Sequence, residues 1–560
     1  MKRNIEGLSN QEFDVLVIGG GIHGALTAWD AALRGLSVAL VERGDFGGGT
    51  SQNSLKIIHG GLRYLQDGNL SRIRKMASER TTWMKIAPHL VHPIRCLMPT
   101  TKKVSRSKLA MTAALTLNDI LSFDRNRLPD PEKRLPSGRV ITPQACAQFL
   151  PGYDLNGVTG AAVWHDAVMV NSERLVLEFI LSAAGLGAQI ANYVEAVGLM
   201  KHGGAVTGVH ARDARTGQVF DIRSKVVVNC AGAWIAQLLE DAALQPDYAT
   251  SVAMNLIVDK VWEDVSAGIS SHPGGGKRTQ MLFVVPWRDI SMIGTWHIPW
   301  DKPPDAFKMK ECHIQAFIDE INTAHPALHL TMKDVRHAAW GFLPVKREDA
   351  SRERVKLARD DQVIDHQQSG QVSGLISVVS VKYTTARVTA QKSIDLAVKK
   401  LGRKPTAGCR THVTPVIGGN IADFKEYLAG ALANAPAGID AESMEHLVYT
   451  YGSNHPYLLD CIKQQPSWGG RIDPAHPVTV AEVMHALQHE MTLTLLDLVQ
   501  RRTELGAAGL PSIQALETCA SLMGLEYNWD IGREQREIDA VIQAYPFTSQ
   551  KRVSVHHANQ

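Results

Sequence analysis

The chain has 560 residues, 44% of them hydrophobic and 21% charged, a balance typical of globular proteins and a length too great for one core. A formal net charge of +3 gives no general attraction for nucleic acid, so we expect no nucleic-acid partner. The seven cysteines are scattered without a C-x-x-C or other metal spacing, which favours buried thiols in a reducing compartment over disulfides or a metal site.

A dinucleotide-binding fingerprint stands near the N-terminus. Its parts are a predicted strand, three glycines, a predicted helix, a second strand and an acid: 13–18, Gly19, Gly21 and Gly24, 25–34, 37–41, and Glu42. The first glycine permits a tight turn, the second lets the backbone approach a pyrophosphate, and the third lets the helix pack on the strand. The pyrophosphate then lies at the helix N-terminus, where unpaired N–H groups favour an anion, and the acid accepts the ribose hydroxyls.

The next segment indicates that the dinucleotide is FAD. Residues 43–54 are rich in glycine and hydroxyl side chains, and we expect Thr50 and Ser51 to lie over the cofactor phosphates. Residues 56–65, Lys-Ile-Ile-His-Gly-Gly-Leu-Arg-Tyr-Leu, supply a backbone loop that can pass the isoalloxazine ring. A domain that binds only a nicotinamide cofactor would normally continue into another βα unit.

A mostly apolar helix is predicted over 109–121, and four basic residues precede it: Lys102, Lys103, Arg106 and Lys108. The segment is either an anchor that lies in a membrane interface or a core helix whose preceding basic residues face solvent. We favour the core helix. The first ten residues lack the apolar core of a signal peptide, and no apolar run reaches the roughly 18 residues of a membrane-spanning helix. We therefore expect a cytoplasmic protein, with peripheral contact at the inner face of the cell membrane left open.

Two later strand ends are predicted beside the flavin. Residues 225–229 form a buried strand that ends in a turn with Asn229, Ala231 and Gly232, where small side chains let the backbone approach the nucleotide. The alternative is an ordinary strand-to-helix turn. A second buried strand ends at Lys382 and Thr384 and feeds a helix that runs to 401. The helix dipole and the lysine there would stabilise negative charge that arrives on the flavin.

The remaining pattern divides the chain into three domains. Residues 251–344 alternate like an antiparallel sheet, with a hairpin at 286–289 and a helix across it over 306–321, and we assign them to the substrate domain. Residues 1–250 and 345–401 form the FAD-binding domain, and 402–560 form a helical domain. The predicted fold class is α/β, a two-dinucleotide-type FAD-binding fold with an antiparallel-sheet substrate domain and a C-terminal α-helical domain.

Five helices are predicted in the C-terminal domain: 442–451, 457–464, 480–505, 513–523 and 529–544. A capping box, Thr479-Val480-Ala481-Glu482, begins the longest of them. That helix carries His485, His489 and Glu490 in the order H-x-x-x-H-E, which is not the metalloprotease pattern. The sequence also shows no further ligand to complete a site with the two histidines. We expect no metal.

Motifs along nearly the whole chain resemble those of the FAD-dependent (respiratory) glycerol-3-phosphate dehydrogenases. They are the glycine fingerprint, 50–51 with 56–65, 87–90, 229–234, 283–287, 294–295, 382–387, 451–454, 489–491 and 501–503. The resemblance implies FAD, oxidation of a secondary alcohol by hydride transfer to flavin N5, a role in glycerol metabolism, and electrons passed to quinone at a membrane. It also implies that Arg63 and Tyr64 contact the substrate, that Lys382 lies beside flavin and phosphate, and that Arg359 is an active-site arginine.

Two positions depart from the family pattern. Asn255 stands where the family has a histidine, and Leu343 stands where it has an arginine. Asparagine is a poor proton acceptor, and leucine removes a fixed positive charge, with Lys346 the nearest spare cation. His59 or His297 could accept the hydroxyl proton instead, or His59 could only touch the flavin.

Three functions follow from these residues. The first is oxidation of glycerol 3-phosphate or a related polyol phosphate, the substrate partner that we expect. The second is a diverged paralogue that oxidises a different alcohol or amine in a specialised pathway, with Trp296, Phe342 and Leu343 as an apolar wall. The third is a catalytically weakened flavoprotein with a binding role. We expect quinone as the electron acceptor, and a homodimer is left open.

Overall fold

The computed structural model describes residues 1–244, 248–271, 281–345, 357, 361–368, 372–402 and 404–547, with only the backbone of 66 and 67. The strands, in chain order, are β1 (Glu12–Ile18), β2 (Val38–Val41), β3 (Ile57–Ile58), β4 (Val91–Thr101), β5 (Arg139–Ile141), β6 (Val158–Met169), β7 (Gln189–Ala191), β8 (Val194–His202), β9 (Ala205–Asp213), β10 (Val219–Asn229), β11 (Ala249–Asp259), β12 (Ser266–Ser270), β13 (Met281–Trp287), β14 (Ile290–Trp300), β15 (Val335–Val345), β16 (Gln362–Asp365) and β17 (Leu375–Val379).

The helices, in chain order, are α1 (Ile5–Ser9), α2 (Ile22–Leu33), α3 (Leu70–Ile86), α4 (Lys108–Leu121), α5 (Pro143–Phe149), α6 (Ser172–Gly185), α7 (Ile235–Glu240), α8 (Glu311–Ala324), α9 (Ala386–Leu401), α10 (Phe424–Ala433), α11 (Ala441–Tyr451), α12 (His455–Gln464), α13 (Val480–His489), α14 (Leu495–Asp497), α15 (Ile513–Tyr527) and α16 (Ile531–Ala544). Among the described helices, none has both the length and the apolar character needed to cross a bilayer.

The first sheet has the strand order β16-β17-β10-β1-β2-β7, with the β8–β9 hairpin joined to β10. β1 is parallel to both neighbours, and alternate residues of it face two different cores, Val15 and Val17 on one side and Leu16 and Ile18 on the other. Burial on both faces explains why the sequence of this strand is a continuous apolar run. The carboxyl ends of β1, β2, β10 and β17 meet at one edge of the sheet, because Ile18 pairs with both Val41 and Asn229 and β10 continues the register to β17.

The second sheet has the order β15-β11-β14-β13-β12-β4-β6-β3, with β5 on β6. The predicted hairpin at 286–289 is confirmed, since β13 and β14 pair across Arg288 and Asp289. The sheet differs from the expected one in two ways. β12 and β4 run parallel, and β3 to β6 come from residues 57–169, a range that the sequence pattern assigns to the FAD-binding domain. Short-range sequence patterns identify such strands but not the sheet that they join.

Helix α4 corrects the interpretation that we favoured for residues 109–121. Its buried residues are Met111, Leu115 and Asn118 alone. Leu109, Ile120 and the following Phe123 are 82%, 64% and 67% exposed. The segment is therefore a surface helix with a narrow inner stripe and not a core helix.

Two other helices have ends that lie well away from those expected. The helix predicted from 306 begins at Glu311, after a 3-10 turn that starts at Pro304. The helix predicted over 480–505 has the expected capping box at Thr479 but ends at His489. Beyond it, Met491 has a φ of +52°, which a helix cannot continue, and Thr494 caps the new turn α14.

The C-terminal helices are tied to the first sheet by a buried ionic cluster. Asp45, three residues after Glu42, binds Arg501 Nε at 2.7 Å and Arg502 Nη1 and Nη2 at 2.8 and 2.7 Å. Burial opposes ionisation of the Asp45 carboxyl, but the two arginines outweigh it and lower the pKa to about 2. The loop that follows Glu42 is therefore fixed against the C-terminal helical segments.

Candidate active site

A cavity of about 2290 Å³ lies between the carboxyl edge of the first sheet and the second sheet. Pockets for single small ligands hold roughly 300–1,000 Å³, so this one has room for a dinucleotide and a substrate. Twelve of the predicted site residues line it: Gly19, Gly21, Glu42, Thr50, Ser51, His59, Arg63, Tyr64, Ala231, Gly232, Lys382 and Thr384. Gly24 and Asn229 do not line the cavity, and Arg359 falls outside the described residues.

The three glycines of the fingerprint have distinct geometries. Gly19 has a φ of +101°, and a Cβ there would lie 2.7 Å from the carbonyl oxygen of Cys230. A Cβ on Gly24 would lie 1.8 Å from the carbonyl oxygen of Gly19, because α2 and β1 touch at this point. A Cβ on Gly21 would meet only Ser51 Oγ, at 3.1 Å, so the backbone there is open to the cavity. This is the close approach that a pyrophosphate requires.

Hydroxyl and carboxyl side chains shape the loop around α2. Ser51 Oγ accepts a bond from Ile22 N at 3.0 Å, at the start of the helix. Glu42 accepts from Gly20 N at 2.6 Å and from Gly44 N at 2.8 Å. Burial raises the pKa of the Glu42 carboxyl, and these two N–H groups oppose the shift. A half-buried carboxyl directly after β2, at the edge of the cavity, fits the ribose of FAD.

Thr50 joins the two sheets. Its hydroxyl donates to the carbonyl of Phe342 at 2.8 Å and accepts from Phe342 N at 2.9 Å. Both hydrogen bonds of the Thr50 hydroxyl are therefore made to the backbone of β15, and Thr50 also borders the cavity. The contact fixes the cofactor side of the cavity against the substrate side.

The end of β10 makes a turn whose shape comes from a side chain. Asn229 Oδ1 accepts from Ala231 N at 3.2 Å, and Asn229 Nδ2 donates to Ile235 O at 3.3 Å. Ala231 and Gly232 then border the cavity, while Asn229 lies behind them, fully buried. The small side chains in this turn leave the backbone accessible, as the cofactor requires.

One group at the cofactor end was not expected from the sequence. Arg43 lies 4.2 Å over the ring of Trp234, and both side chains bind Asp305, at 2.8 and 2.9 Å. The position of Arg43 directly after Glu42 was its only sequence signal. The trio forms a rim between the first sheet and the segment before α8.

Cations and a phenol meet at the other end of the cavity. Lys382 Nζ lies 5.0 Å from the centre of the Tyr64 ring, and the Arg63 guanidinium lies 6.0 Å from it. His59 is joined to the same corner, because its backbone N–H donates to Thr384 Oγ1 at 3.0 Å. Two segments that the sequence predicted separately, 56–65 and 382–384, are therefore brought together before the N-terminus of α9.

A buried carboxylate that the sequence analysis missed lies behind His59. Asp166 Oδ2, on β6, is 3.6 Å from His59 Nδ1. Asp166 also accepts bonds from Gly60 N, from Arg80 Nη1 and from Trp164 Nε1, at 2.5, 2.8 and 3.0 Å. No local motif marks an acid that acts across a sheet, so pairing of β3 with β6 was needed to find it.

The two departures from the family pattern both border the cavity. Asn255 Nδ2 donates to Asn53 O at 2.9 Å, and Asn255 Oδ1 accepts from Thr295 Oγ1 at 3.0 Å. Leu343 presents an alkyl side chain on β15. Lys346, the spare cation, lies outside the described residues.

Comparisons with known proteins agree with this geometry. The sequence profile of FAD dependent oxidoreductases matches residues 14–378, and that of the C-terminal domain of alpha-glycerophosphate oxidase matches residues 409–534. A glycerol-3-phosphate dehydrogenase of Synechocystis sp. is 33% identical over 513 residues, covering 90% of each chain. The mitochondrial glycerol-3-phosphate dehydrogenase of Homo sapiens is 29% identical, covering 95% of this chain and 73% of the relative.

A solved structure shows the same fold. The glycerol-3-phosphate dehydrogenase from Bacillus halodurans complexed with FAD has a TM-score of 0.75 at 24% identity, covering 97% of both chains. The predicted fold class is confirmed, with helices following the two sheets in the C-terminal part. The chain belongs to the FAD-dependent glycerol-3-phosphate dehydrogenase family, and its cofactor is FAD.

Proposed function

We propose that the protein oxidises the secondary hydroxyl of a polyol phosphate, converting glycerol 3-phosphate to dihydroxyacetone phosphate. The observation that carries the proposal is the corner where Arg63, Lys382 and Tyr64 meet beside the N-terminus of α9. A phosphate dianion in a pocket needs two or more cations, and an arginine can bind it with two parallel hydrogen bonds. The names of the relatives support the same substrate.

Each residue of this corner has a role in the proposed reaction. FAD, when bound, supplies the hydride acceptor at N5. Arg63 and Lys382 hold the phosphate, and Tyr64 orients the polyol. The N-terminus of α9 and the lysine also stabilise negative charge near the flavin. Phe283 and Trp296 border the cavity with apolar surface that limits water at the reacting carbon.

The first prediction concerns the purified protein. We expect it to be yellow and its flavin to bleach when glycerol 3-phosphate is added without oxygen, because the alcohol reduces the flavin by two electrons. Absorbance of the flavin is the measurement, with glycerol and inorganic phosphate as separate controls. A flavin that ignores every polyol phosphate contradicts the proposal.

A second candidate is the diverged paralogue, a dehydrogenase acting on another alcohol or an amine. Leu343 and the engaged amide of Asn255 favour it, because neither can hold a phosphate or accept a proton. Trp296 and Phe342 extend the apolar wall. In the same bleaching screen, unphosphorylated polyols and amines would then reduce the flavin better than polyol phosphates. A binding protein without activity would give a flavin that no donor bleaches.

We further infer that electrons pass to a quinone at a membrane surface that α4 contacts. The exposed apolar residues of this helix lie next to the exposed cations Lys102, Lys103 and Lys108, the pattern of an interfacial helix. Three residues on the inward side of α4, Ala110, Met111 and Ala114, border the flavin cavity. A lipid-soluble acceptor could therefore reach the flavin from the surface to which the helix binds.

Replacing two exposed apolar residues, Ile120 at the end of α4 and Phe123 just after it, tests this contact. We expect Ile120→Ser with Phe123→Ser to lower binding to anionic vesicles about tenfold or more, because each exposed side chain loses its burial in the lipid interface. Cosedimentation of the flavoprotein with vesicles is the measurement. Leu525→Ser with Ile531→Ser is the matched control, since these residues are 82% and 85% exposed on the C-terminal helices. Equal loss in both variants would count against α4 as the contact.

A further inference from the structure

The loop between β2 and β3 must keep one shape around the FAD phosphates, yet its own sequence gives it little rigidity. Residues 47–49 are three consecutive glycines, and Gly47 and Gly49 have φ values of +76° and +62°. Glycine loses more conformational freedom than other residues when it becomes ordered. If the loop became ordered only on cofactor binding, that ordering would lower the affinity for FAD. The rigidity of the loop must therefore come from its contacts.

A buried carboxylate holds the first end of this loop. Asp45 accepts two hydrogen bonds from the Arg502 guanidinium, at 2.8 and 2.7 Å, and one from Arg501 Nε at 2.7 Å. Asn192 Nδ2 donates to Asp45 Oδ1 at 2.9 Å and to the carbonyl of Met491 at 2.9 Å. Asp45 is 6% exposed and Arg502 is 1% exposed. Because water hardly reaches these groups, the charged hydrogen bonds between them are strong and fix the position of Asp45.

The other end of the loop is held by the same part of the C-terminal helical segments. This part is the π-helical turn Leu498–Arg502, directly after α14. Gln52 Oε1 accepts from Arg501 Nη1 at 3.1 Å, and Gln52 Nε2 donates to Gln500 Oε1 at 3.2 Å. Both polar atoms of the Gln52 side chain therefore contact the turn, while Gln52 does not border the cavity.

Arg501 connects the two ends of the loop. Its Nε binds Asp45 and its Nη1 binds Gln52, which lie on opposite sides of the three glycines. Its third nitrogen, Nη2, donates to Asp497 Oδ1 at 2.7 Å, and the hydroxyl of Tyr193 donates to the same oxygen at 2.7 Å. Arg501 borders the cavity, but all three of its nitrogens already have protein acceptors. The side chain therefore acts as a brace between protein segments.

We propose that the C-terminal helical segments hold residues 43–53 in the shape that binds the FAD phosphates, with Arg501 and Arg502 as positioning residues. Between the two points of attachment, residues 48–51 all border the cavity. Because the attachments order the loop in advance, FAD binding does not have to order it. The proposal concerns the cofactor and does not depend on which substrate the protein oxidises.

The dissociation constant of FAD, measured by titrating the apoprotein, tests the proposal. We expect Arg502→Lys to raise this constant roughly 10- to 100-fold, because lysine keeps the charge but cannot make two parallel bonds to Asp45. Arg502 does not border the cavity, so its replacement can weaken FAD binding only through the loop.

Arg387→Lys is the matched control. Arg387, on α9, is also buried and also makes two bonds to one carboxylate, that of Glu79, at 2.8 and 2.5 Å. It likewise binds a residue of the C-terminal part, Thr411 Oγ1, at 3.0 Å, and it does not border the cavity. The control should lower thermal stability as Arg502→Lys does, but the dissociation constant of FAD should not change.

Gln52→Ala tests the second attachment with little risk to folding, because Gln52 is half-buried in a loop. We expect the dissociation constant of FAD to rise roughly tenfold, since the loop loses a hydrogen bond to a charged group. If Arg502→Lys does not fold, because Asp45 is left buried with a weaker partner, Gln52→Ala decides.

Amide hydrogen exchange gives a second readout. Coupling between two sites is reciprocal, so a turn that strengthens FAD binding must itself be stabilised by FAD. We expect residues 498–503 of the wild type to exchange more slowly when FAD is added. This protection should be smaller in Gln52→Ala at saturating FAD. A contact that only joins two parts of the protein would not respond to FAD.

Two results would overturn the proposal. Equal losses of FAD affinity in Arg502→Lys and Arg387→Lys would show a general loss of stability. Wild-type FAD affinity in Gln52→Ala, together with exchange at 498–503 that ignores FAD, would show that the loop keeps its shape without the turn. A protein that passes both tests but is not reduced by polyol phosphates would contradict the proposed substrate and leave the role of the turn intact.

Discussion

Replacing Gly24 with alanine is expected to give a colourless protein. The added Cβ would lie 1.8 Å from the carbonyl oxygen of Gly19 and 3.0 Å from its carbonyl carbon, well inside van der Waals contact. Both neighbours are backbone atoms, so no side chain can move aside. α2 must then shift away from β1, and the N–H groups at its start no longer meet the pyrophosphate. We expect FAD affinity to fall by roughly a thousandfold or more, because the lost hydrogen bonds to the pyrophosphate contribute about 4 kcal/mol or more to the binding free energy.

The measurement is the flavin-to-protein ratio after purification, followed by titration of the protein with FAD. Gly430→Ala is the matched control, since this glycine is inside α10 and a Cβ there meets nothing within 4 Å. The control should bind FAD fully and gain roughly 0.5–1 kcal/mol in stability, because alanine is the better helix former. Full FAD loading of Gly24→Ala would mean that the helix and strand can separate without cost to the site.

The cofactor half of the molecule could be predicted because its signals are local. The glycines, the flanking strand and Glu42 lie within one βαβ unit, so spacing along the chain converts directly into positions in space. The turn after Asn229 was found for the same reason. Its glycine and alanine follow a buried strand, and a parallel sheet brings strand ends to a common edge.

The substrate half depends on pairings between distant segments. β6 could be recognised as a strand, but its place beside β3, which sets Asp166 against His59, is not encoded near either residue. The same reason explains α4, whose apolar periodicity suits a core helix or a surface helix equally well. The helix predicted over 480–505 ends at His489, because Met491 has a left-handed φ that the local sequence does not indicate.

Replacing Leu343 with arginine is expected to strengthen phosphate binding roughly 10- to 100-fold, because a charged hydrogen bond contributes about 1.5–3 kcal/mol. The side chain lies on β15 at the wall of the cavity that also holds Arg63 and Lys382. A third cation there would share the phosphate charge without displacing the other two. The dissociation constant of inorganic phosphate, measured from flavin absorbance, is the readout.

Leu343→Gln is the control, because glutamine is long and polar like arginine but carries no charge. If arginine tightens phosphate binding and glutamine does not, the gain comes from the charge. The wild-type protein, with leucine at this position, then binds phosphate more weakly than a site with a third cation. Glycerol 3-phosphate would then also bleach the flavin at lower concentration in the variant. That result would place the substrate phosphate within reach of residue 343 and would support a polyol phosphate as the substrate. An unchanged phosphate affinity with FAD bound would place the anion away from residue 343. Arg63 and Lys382 would then be the cations that bind the substrate phosphate.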